Sequence, residues 1–413
     1  MFKNILFTFF TRFFVAASSL VIAILLSNYL GASGRGEQSL IVTSITLIIV
    51  ITSLIGTSSI SYLVPRYPFS VLIIPSYLWV IFIILICFFL LPFLSLVPDE
   101  YMNDVCILSF LLSIANINIT VLISHQKINS ANFLNFIQSF LIILVLIVSF
   151  SLFHNISIDA YMIALYAGYG TTLLMSFIFI KSYFAGFHRE PFNAWMAALK
   201  KLATLGLYNQ IAVFAQLLSF RLSYYILNSC FGKEEVGIYS NAVSIAESIW
   251  LIGRSIATVQ HSRIVNSRDK KFSLALTSRL NRINLLISIG SILVLAFIPE
   301  SWYIFLFGEE FTNINRIIWT LSPGIIFFSI ALILGYYFSS TGKHHVNAIA
   351  SCAGLLVTVV MGYSIIPTYN TYGAGLTASV SYGITAVIVI FFYLREKKDV
   401  AKARNQTVNL QAE

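Results

Sequence analysis

The chain has 413 residues, of which 58% are hydrophobic and only 10% are charged, and its formal net charge is +9. Soluble domains usually carry about 25% charged residues, so this composition excludes a water-facing surface over most of the molecule. The positive charge is first explained by the bias of Lys and Arg toward the cytoplasmic loops of membrane proteins, and we predict no nucleic-acid partner.

Apolar runs between turn and charge signals predict about twelve membrane-spanning helices, because each crossing needs about 20 residues. We therefore expect an all-α polytopic membrane protein. No small-residue cleavage site closes the first apolar run, which indicates a retained span rather than a signal peptide. The predicted spans are 8–30, 39–62, 71–96, 105–124, 131–153, 160–182, 204–229, 238–260, 283–304, 317–340, 346–366 and 373–394.

The distribution of charge supports this topology independently of hydropathy. With the N-terminus inside, most Lys and Arg residues fall in cytoplasmic loops, and only Arg35, Lys233 and Arg316 fall outside. A misplaced span would disturb that alternation. We therefore predict that both termini are cytoplasmic.

Two loops in the sequence are related to each other. LGASGRGEQS (30–39) follows the first span and FGKEEVGIYS (231–240) follows the seventh, and each has two glycines five residues apart. Glycine adopts the positive φ that a tight reversal requires, so we expect both glycines of each pair to lie in turns. The pairs are Gly31 with Gly36 and Gly232 with Gly237. A third related turn, TYGAGLTAS at 371–379, precedes the last span.

The repeat predicts two six-helix bundles of the same orientation around a central cavity, because six spans separate its copies. The alternative is that small residues crowd every tight turn. The predicted parts are an N-terminal bundle at 1–183, a cytoplasmic connector at 184–203, a C-terminal bundle at 204–394 and a basic cytoplasmic tail at 395–413. Basic inside loops at about 183–203 and 261–282 are predicted to lie on the inner leaflet.

No catalytic motif is present in the sequence. HExxH, GxSxG and GxxxxGK[ST] are absent, and the outside loops are too short to hold a carboxylate pair in a cleft. His344 and His345 are adjacent but have no third ligand nearby, so a surface position is favoured over a metal site. We predict neither an enzyme nor a bound cofactor or metal.

Four arginines lie in or beside the spans, where charge is costly and usually faces a polar cavity or a partner. The planar guanidinium suits phosphate oxygens, so these residues are candidates for an anion site. The candidates are Arg221, Arg254, Arg12 and Arg66. The alternatives are a structural ion pair of Glu247 with Arg254 or Arg221, and, for Arg12 and Arg66, a purely topological role.

Uncharged polar residues form a stripe at the start of the fifth span and recur in the seventh. Spacing by three places the stripe on one face of a helix. It is predicted to hydrogen-bond sugar hydroxyls, and the alternative is hydrogen bonding between packed helices. The candidate lining residues are Asn129, Asn132, Asn135, Gln138, Asn209 and Gln216.

Several segments resemble, in order, the polysaccharide flippases (Wzx or PST type) of the MOP flippase superfamily. They are LGASGRGEQSL (30–40), the seventh-to-eighth-span segment (220–250), LFGEEF (306–311), YYFSSTGKHHVNAIASCAGLLVTVV (336–360) and IPTYNTYGAGLTASVSYG (366–383). The resemblance runs across nearly the whole chain.

That resemblance implies a flippase of the bacterial inner membrane that moves undecaprenyl-pyrophosphate-linked oligosaccharide for O-antigen or capsule by alternating access. It implies membrane lipids, a coupling ion (H⁺ or Na⁺), and polymerase and chain-length regulator proteins as partners. Arg221 matches an arginine common in the seventh span of the family, and Glu247 matches a glutamate frequent in the eighth. Ser223 stands where many relatives are acidic, which leaves Glu247 as the candidate for ion coupling.

Three other classes are weighed against a flippase. A cation-coupled drug antiporter of the same superfamily binds positive substrates, which interior arginines disfavour. A polysaccharide polymerase or ligase usually carries a long outside loop with paired arginines, whereas the longest outside segment here, about 299–316, is short. A non-transporting scaffold has no need of charges in its spans.

Overall fold

The computed structural model describes residues 2–410 except 57–58, 61–62, 65–66, 95, 185–190 and 268, and only the backbone of 2–6, 9, 205, 401 and 403–410. The described residues are helical and contain no β-strand, which confirms the predicted all-α class. Short 3₁₀ turns lie at Ser53–Ile55 and Asp99–Tyr101. The helices are α1 (Phe2–Thr52), α2 (Phe69–Leu94), α3 (Met102–Ser124), α4 (Ile128–Ser151), α5 (Ile158–Phe184), α6 (Phe192–Phe231), α7 (Lys233–Ser248), α8 (Trp250–Val265), α9 (Lys270–Phe297), α10 (Glu300–Phe307), α11 (Ile314–Ser340) and α12 (His344–Leu410).

Among the described residues, ten helical segments are long and apolar enough to cross a membrane. The two longest, Phe10–Ile55 and His344–Val400, have 46 and 57 residues. A continuous helix of the shorter length would measure about 69 Å, more than twice the ~30 Å hydrocarbon thickness. Each is interrupted by one non-helical residue, Gly31 or Asn370, and so provides two spans. The protein is therefore an integral membrane protein, and its described residues provide twelve helical segments long enough to span a membrane, the number predicted.

The turns of the repeat are shorter than predicted. Gly31 (φ 66°) and Gly232 (φ 90°) each interrupt the helix as a single residue. The expectation of positive φ is confirmed for these first glycines of the two pairs. It is wrong for the second glycines, because Gly36 and Gly237 are buried inside helices.

The third turn lies one residue before the motif predicted for it. Asn370 adopts φ 52°, and residues 371–379 are already helical. The two arms of α12 on either side of Asn370 run antiparallel. Gly373 lies against Ile365 near the turn, and further away Thr358 Oγ1 donates to Ser381 Oγ at 2.8 Å. Chain reversal here depends on an asparagine, the non-glycine type that tolerates this region best.

The ninth span begins earlier than predicted, and the predicted inside loop at 261–282 is wrong. α8 continues to Val265 and α9 starts at Lys270, so only 266–269 connect them. Asp269 caps α9 by accepting a hydrogen bond from the Lys271 amide at 2.7 Å. The helix therefore extends through a polar segment that carries no hydropathy signal.

The helices form two compact units. The first comprises Met1–Gln210 together with the short segment Leu306–Glu310, and the second comprises Ile211–Phe305 and Phe311–Glu413. The boundary between Gln210 and Ile211 falls inside α6, which is helical from Phe192 onward. Residues 192–203 of the predicted connector are therefore helix, whereas 185–190 lie outside the described residues.

The first unit has two apolar cores and a buried polar bridge. Phe150 and Leu165 belong to one core, and Leu134 and Ile180 to the other. Asn118, fully buried on α3, accepts a hydrogen bond from the Tyr77 hydroxyl and donates to Ser176 Oγ at 2.8 Å. The bridge joins α2, α3 and α5, so this asparagine stabilises the packing of three helices.

The second unit packs around aromatic rings. Phe220, Trp250, Phe328 and Tyr382 are in mutual contact, with ring centroids 4.5 to 5.7 Å apart. The indole nitrogen of Trp250 donates to the Ile325 carbonyl at 3.2 Å. The cluster joins α6, α8, α11 and α12, so it fixes the positions of these four helices relative to one another.

Close packing of α11 on the second arm of α12 requires glycine at position 375. A Cβ there would overlap Thr320 Oγ1 and lie 2.9 Å from Thr320 Cβ, so rotation of the threonine side chain does not relieve the clash. We expect Gly375→Ala to lower the free energy of unfolding by about 1–3 kcal/mol. The measurement is the thermal unfolding midpoint of the purified protein in detergent.

Gly290→Ala is the matched control for that substitution. Gly290 is exposed on α9, and a Cβ there would meet nothing within 4 Å. Replacing a helical glycine by alanine should leave the midpoint unchanged or raise it. Equal losses in both variants would contradict the assigned role of Gly375.

Candidate functional site

Two oppositely charged side chains in the second unit form an ion pair between neighbouring spans. Arg221 lies on α6 and Glu247 lies in the last turn of α7. The guanidinium meets the carboxylate with both arms of its fork, Nη1 to Oε1 at 2.8 Å and Nη2 to Oε2 at 2.7 Å. This is the strongest geometry available to two oppositely charged side chains. The Glu247–Arg221 pair, one of the two pairings considered from sequence, is therefore formed.

The pair is largely shielded but still accessible. The side chains of Arg221 and Glu247 are 23% and 15% exposed. The Arg221 guanidinium carbon also lies 5.3 Å from the centre of the Tyr224 ring, within the range of a cation–π contact. An anion that reaches this site would meet a cation held in an apolar, aromatic surrounding, where electrostatic attraction is stronger than in water.

α7 ends one residue after Glu247. Ile249 lies between α7 and α8 and keeps helical dihedral angles (φ −56°, ψ −35°), while its amide donates to the Ala246 carbonyl at 3.4 Å. The departure from the regular hydrogen-bond pattern after Glu247 is therefore local to Ile249.

Arg254 does not join this pair. It is exposed on α8, and no ion pair of its guanidinium is found among the described residues. The alternative of a Glu247–Arg254 pair is therefore wrong, because Arg221 already occupies both carboxylate oxygens.

The other two predicted arginines belong to the N-terminal part of the sequence. Arg12 is exposed on the first arm of α1 in the first unit. Arg66 lies outside the described residues. The role of both arginines in an anion site stays a prediction.

The polar stripe of α4 is partly used for packing. Asn132 is 8% exposed and donates to Thr8 Oγ1 at 2.7 Å, which joins α4 to α1. Asn135 and Gln138 are half-buried and Asn129 is exposed. Asn132 therefore has the interhelical role that was the alternative from sequence, and a sugar-lining role of its neighbours stays a prediction.

The two lining candidates of α6 fall in different units. Asn209 is half-buried in the first unit and Gln216 is half-buried in the second. Gln210, next to Asn209, is buried and donates through Nε2 to the Val50 carbonyl.

Sequence reasoning missed a buried hydroxyl network in the second unit. Ser219, Thr358 and Ser381 bond to one another at 2.6 to 3.0 Å, and Ser381 also donates to the Gly354 carbonyl at 2.8 Å. Spacing gives no signal for it, since the three residues come from three different spans. In the part of the chain that the structure describes, no group of three His, Cys, Asp or Glu side chains is placed to hold a metal ion.

Part of the chain is similar in sequence to two bacterial proteins. No family model matches it. The capsular polysaccharide biosynthesis protein CapF of Staphylococcus aureus is 30% identical over 173 residues, 41% of this chain and 44% of that relative. A putative O-antigen transporter of Shigella flexneri is 23% identical over 176 residues, 41% of each chain. The match thus spans less than half the length of either relative.

Solved structures agree over a much longer part of the chain. The lipid II flippase MurJ superposes with a TM-score of 0.72 and 18% identity, covering 94% of this chain and 87% of that one. A multidrug resistance MATE transporter of the MOP superfamily gives 0.70 and 14% identity, covering 95% and 96%. The chain therefore shares the fold of these two membrane proteins, as the resemblance of its motifs implied.

The ion pair predicts coupled effects of mutation on stability. Arg221→Gln and Glu247→Gln each leave one charge without its partner in an apolar site, so each should lower the free energy of unfolding by about 1–3 kcal/mol. The double variant leaves no unpaired charge, so its loss should be smaller than the sum of the two. Thermal unfolding of the four proteins measures the coupling.

Arg254→Gln is the control for that cycle, because Arg254 is exposed and should change stability by less than about 0.5 kcal/mol. Strictly additive losses at positions 221 and 247 would contradict the pair.

Proposed function

We propose that this chain, which has the fold of MOP-superfamily transporters, is a flippase that moves undecaprenyl-pyrophosphate-linked oligosaccharide across the bacterial inner membrane for O-antigen or capsule synthesis. The observation that carries the proposal is the Arg221 guanidinium, which is mostly shielded from solvent and binds its partner through two parallel hydrogen bonds. The similarity of part of the chain to a capsular polysaccharide protein and to a putative O-antigen transporter supports it. It is a transporter rather than an enzyme. Both termini are proposed to be cytoplasmic, as the charge distribution indicates.

The pyrophosphate takes the place of the Glu247 carboxylate on Arg221. Phosphate and carboxylate oxygens accept from the same two guanidinium donors with the same fork geometry. Both oxygens of Glu247 are bound to Arg221 in the structure, so substrate binding requires an exchange of partners at one guanidinium. Arg254, Arg12 and Arg66 are proposed to attract the diphosphate toward the site as additional positive charges.

The displaced Glu247 couples this exchange to an ion. A carboxylate that loses its counter-charge in an apolar site is neutralised at much lower cost by a proton or by Na⁺ than by remaining bare. Release of the substrate returns Arg221 to Glu247, and the ion then leaves. Partner exchange at Arg221 thus links one lipid-linked sugar to one coupling ion, in an alternating-access cycle of the two bundles.

The remaining groups serve the sugars and the assembly of the polymer. Asn129, Asn135, Gln138, Asn209 and Gln216 are proposed to hydrogen-bond sugar hydroxyls. The polyprenyl tail stays among membrane lipids, since desolvation favours an apolar surrounding for it. Polymerase and chain-length regulator proteins are the proposed partners downstream.

The main rival is a cation-coupled antiporter for drugs or other small molecules, which the MATE-like fold also accommodates. Arg221 would repel a positively charged substrate and Glu247 would attract it. Such a substrate would therefore have to bind the Glu247 carboxylate and so break the Arg221–Glu247 ion pair. Uptake and drug-resistance assays distinguish this rival, because a polysaccharide flippase confers no resistance to cationic drugs.

A gene deletion in the producing strain tests the function. We expect loss of surface polysaccharide and accumulation of the lipid-linked oligosaccharide on the cytoplasmic leaflet. Complementation with Arg221→Lys should restore less than about a tenth of the wild-type surface polysaccharide, because lysine keeps the charge but lacks the planar fork. Glycolipid extraction and quantification of cell-surface polysaccharide give the two readouts.

Arg316→Lys, the same substitution at an exposed arginine outside the proposed site, is the control and should complement fully. Full complementation by Arg221→Lys, or a deletion strain without the accumulated glycolipid, would refute the proposal.

Ion coupling is tested separately in proteoliposomes. Flipping by the wild type should accelerate when a proton or Na⁺ gradient is imposed. Glu247→Gln should flip at one rate with and without the gradient, since its side chain is neutral throughout the cycle. Glu235→Gln, in the first turn of the same helix, is the control and should keep the response. A Glu247→Gln protein that still responds to the gradient would exclude Glu247 as the coupling group.

A further inference from the structure

A short segment of the second half of the sequence is part of the first unit. Leu306–Glu310, called here the strap, is grouped with Met1–Gln210, whereas Phe305 and Phe311 on either side of it belong to the second unit. The strap includes the end of α10 and Gly308, whose φ of 107° is open only to glycine at low cost. The chain thus passes from one unit into the other and back within five residues.

Two hydrogen bonds hold the strap to the turn in α1. Asn28 Nδ2 donates to the Leu306 carbonyl at 2.7 Å, and the Ala32 amide donates to Glu310 Oε2 at 2.6 Å. Ala32 begins the second arm of α1, so the carboxylate lies at a helix start, where the free amides and the helix dipole favour negative charge. The contact is therefore charge-assisted as well as short.

The absence of a side chain at Gly31 leaves room for this contact. A Cβ at Gly31 would lie 2.5 Å from Glu310 Oε2, closer than atoms approach. Gly232, its counterpart in the repeat, has the same kind of backbone (φ 90°), but a Cβ there would meet nothing within 4 Å. The two turns share their conformation, and only the first receives a carboxylate.

The flanks of the strap are fixed in the second unit. Tyr303 Oη donates to the Leu295 carbonyl at 2.7 Å, and Asn315 Nδ2 donates to the Ala296 carbonyl at 2.7 Å. Five residues span at most about 17 Å when fully extended, so the strap has little slack. Any movement of the strap must either break the bonds to Asn28 and Ala32 or move the α1 turn with the strap.

We infer that the strap is a latch, in which Glu310 bound at the Gly31–Ala32 turn holds one state of the conformational cycle and is released to reach the other. The topology from charge places this turn on the extracytoplasmic side. The latch would therefore govern opening toward that side, and removing the carboxylate shifts the population toward the released state.

The test uses a buried cysteine as a reporter of release. Cys87, Cys106, Cys230 and Cys352 are replaced by alanine, and Ala32→Cys is introduced, because Ala32 is 0% exposed. Intact spheroplasts are treated with a membrane-impermeant maleimide. Glu310→Gln should label at least about tenfold faster than the reporter alone, since it loses a charge-assisted bond. Equal labelling rates overturn the latch.

Two matched controls separate the latch from general loosening. Glu309→Gln removes the neighbouring exposed carboxylate and should leave the labelling rate unchanged. Gly31→Ala should accelerate labelling as Glu310→Gln does, whereas Gly232→Ala, which bears the same backbone strain without the collision, should not. Equal acceleration by both members of either pair also overturns the latch.

A reversible cross-link connects the latch to transport. Ala32→Cys and Glu310→Cys are joined by a short bifunctional methanethiosulfonate reagent, and we expect export to stop and to resume after reduction. Export that continues while the link is intact refutes the latch. The labelling arm needs no substrate, so it reports on the latch even if the proposed flippase function fails in the gene-deletion assay.

Discussion

The structure depends on one constraint: within lipid, every backbone amide and carbonyl must find its partner inside the chain. A spanning chain is therefore helical until it reaches the membrane surface. The reversals at Gly31, Gly232 and Asn370 are accordingly reduced to one residue each, with helix on both sides. Because so few residues depart from the helix, each of these three residues determines where the chain reverses. Gly31 and Gly232 occupy equivalent positions in the internal repeat.

The same constraint governs polar side chains. Asn118 and Asn132 satisfy their amides on neighbouring helices, and Arg221 satisfies its charge on Glu247. The two asparagine contacts join helices that are distant in sequence, and the ion pair joins the neighbouring helices α6 and α7. Polarity inside the spans therefore stabilises the packing of particular helices. Of these three contacts, the ion pair is the one that is charged and leaves its side chains partly accessible, which is why it is the candidate site.

Hydropathy predicted the span number and the all-α class, and the internal repeat predicted the turns at Gly31 and Gly232. These patterns failed where the local sequence carries no signal. The start of α9 at Lys270 is polar and is set by the Asp269 cap, so an apolar run could not mark it. The choice of Arg221 over Arg254 as the partner of Glu247 depends on the contact of α6 with α7, and the hydroxyl network depends on three spans meeting. Such features arise from tertiary packing, which composition and periodicity do not encode.

The pairing of Arg221 with Glu247 also explains how a flippase can use a strong anion site without being trapped by it. A bare arginine in an apolar cavity would bind a diphosphate tightly on both sides of the membrane, and uniform tight binding slows release. In the proposed exchange the diphosphate replaces a carboxylate that makes the same two hydrogen bonds, so the net gain on binding is the difference between two similar interactions. Under this proposal that difference is set by the charge state of Glu247, and the ion that neutralises Glu247 decides when Arg221 holds the substrate and when it returns to its own chain.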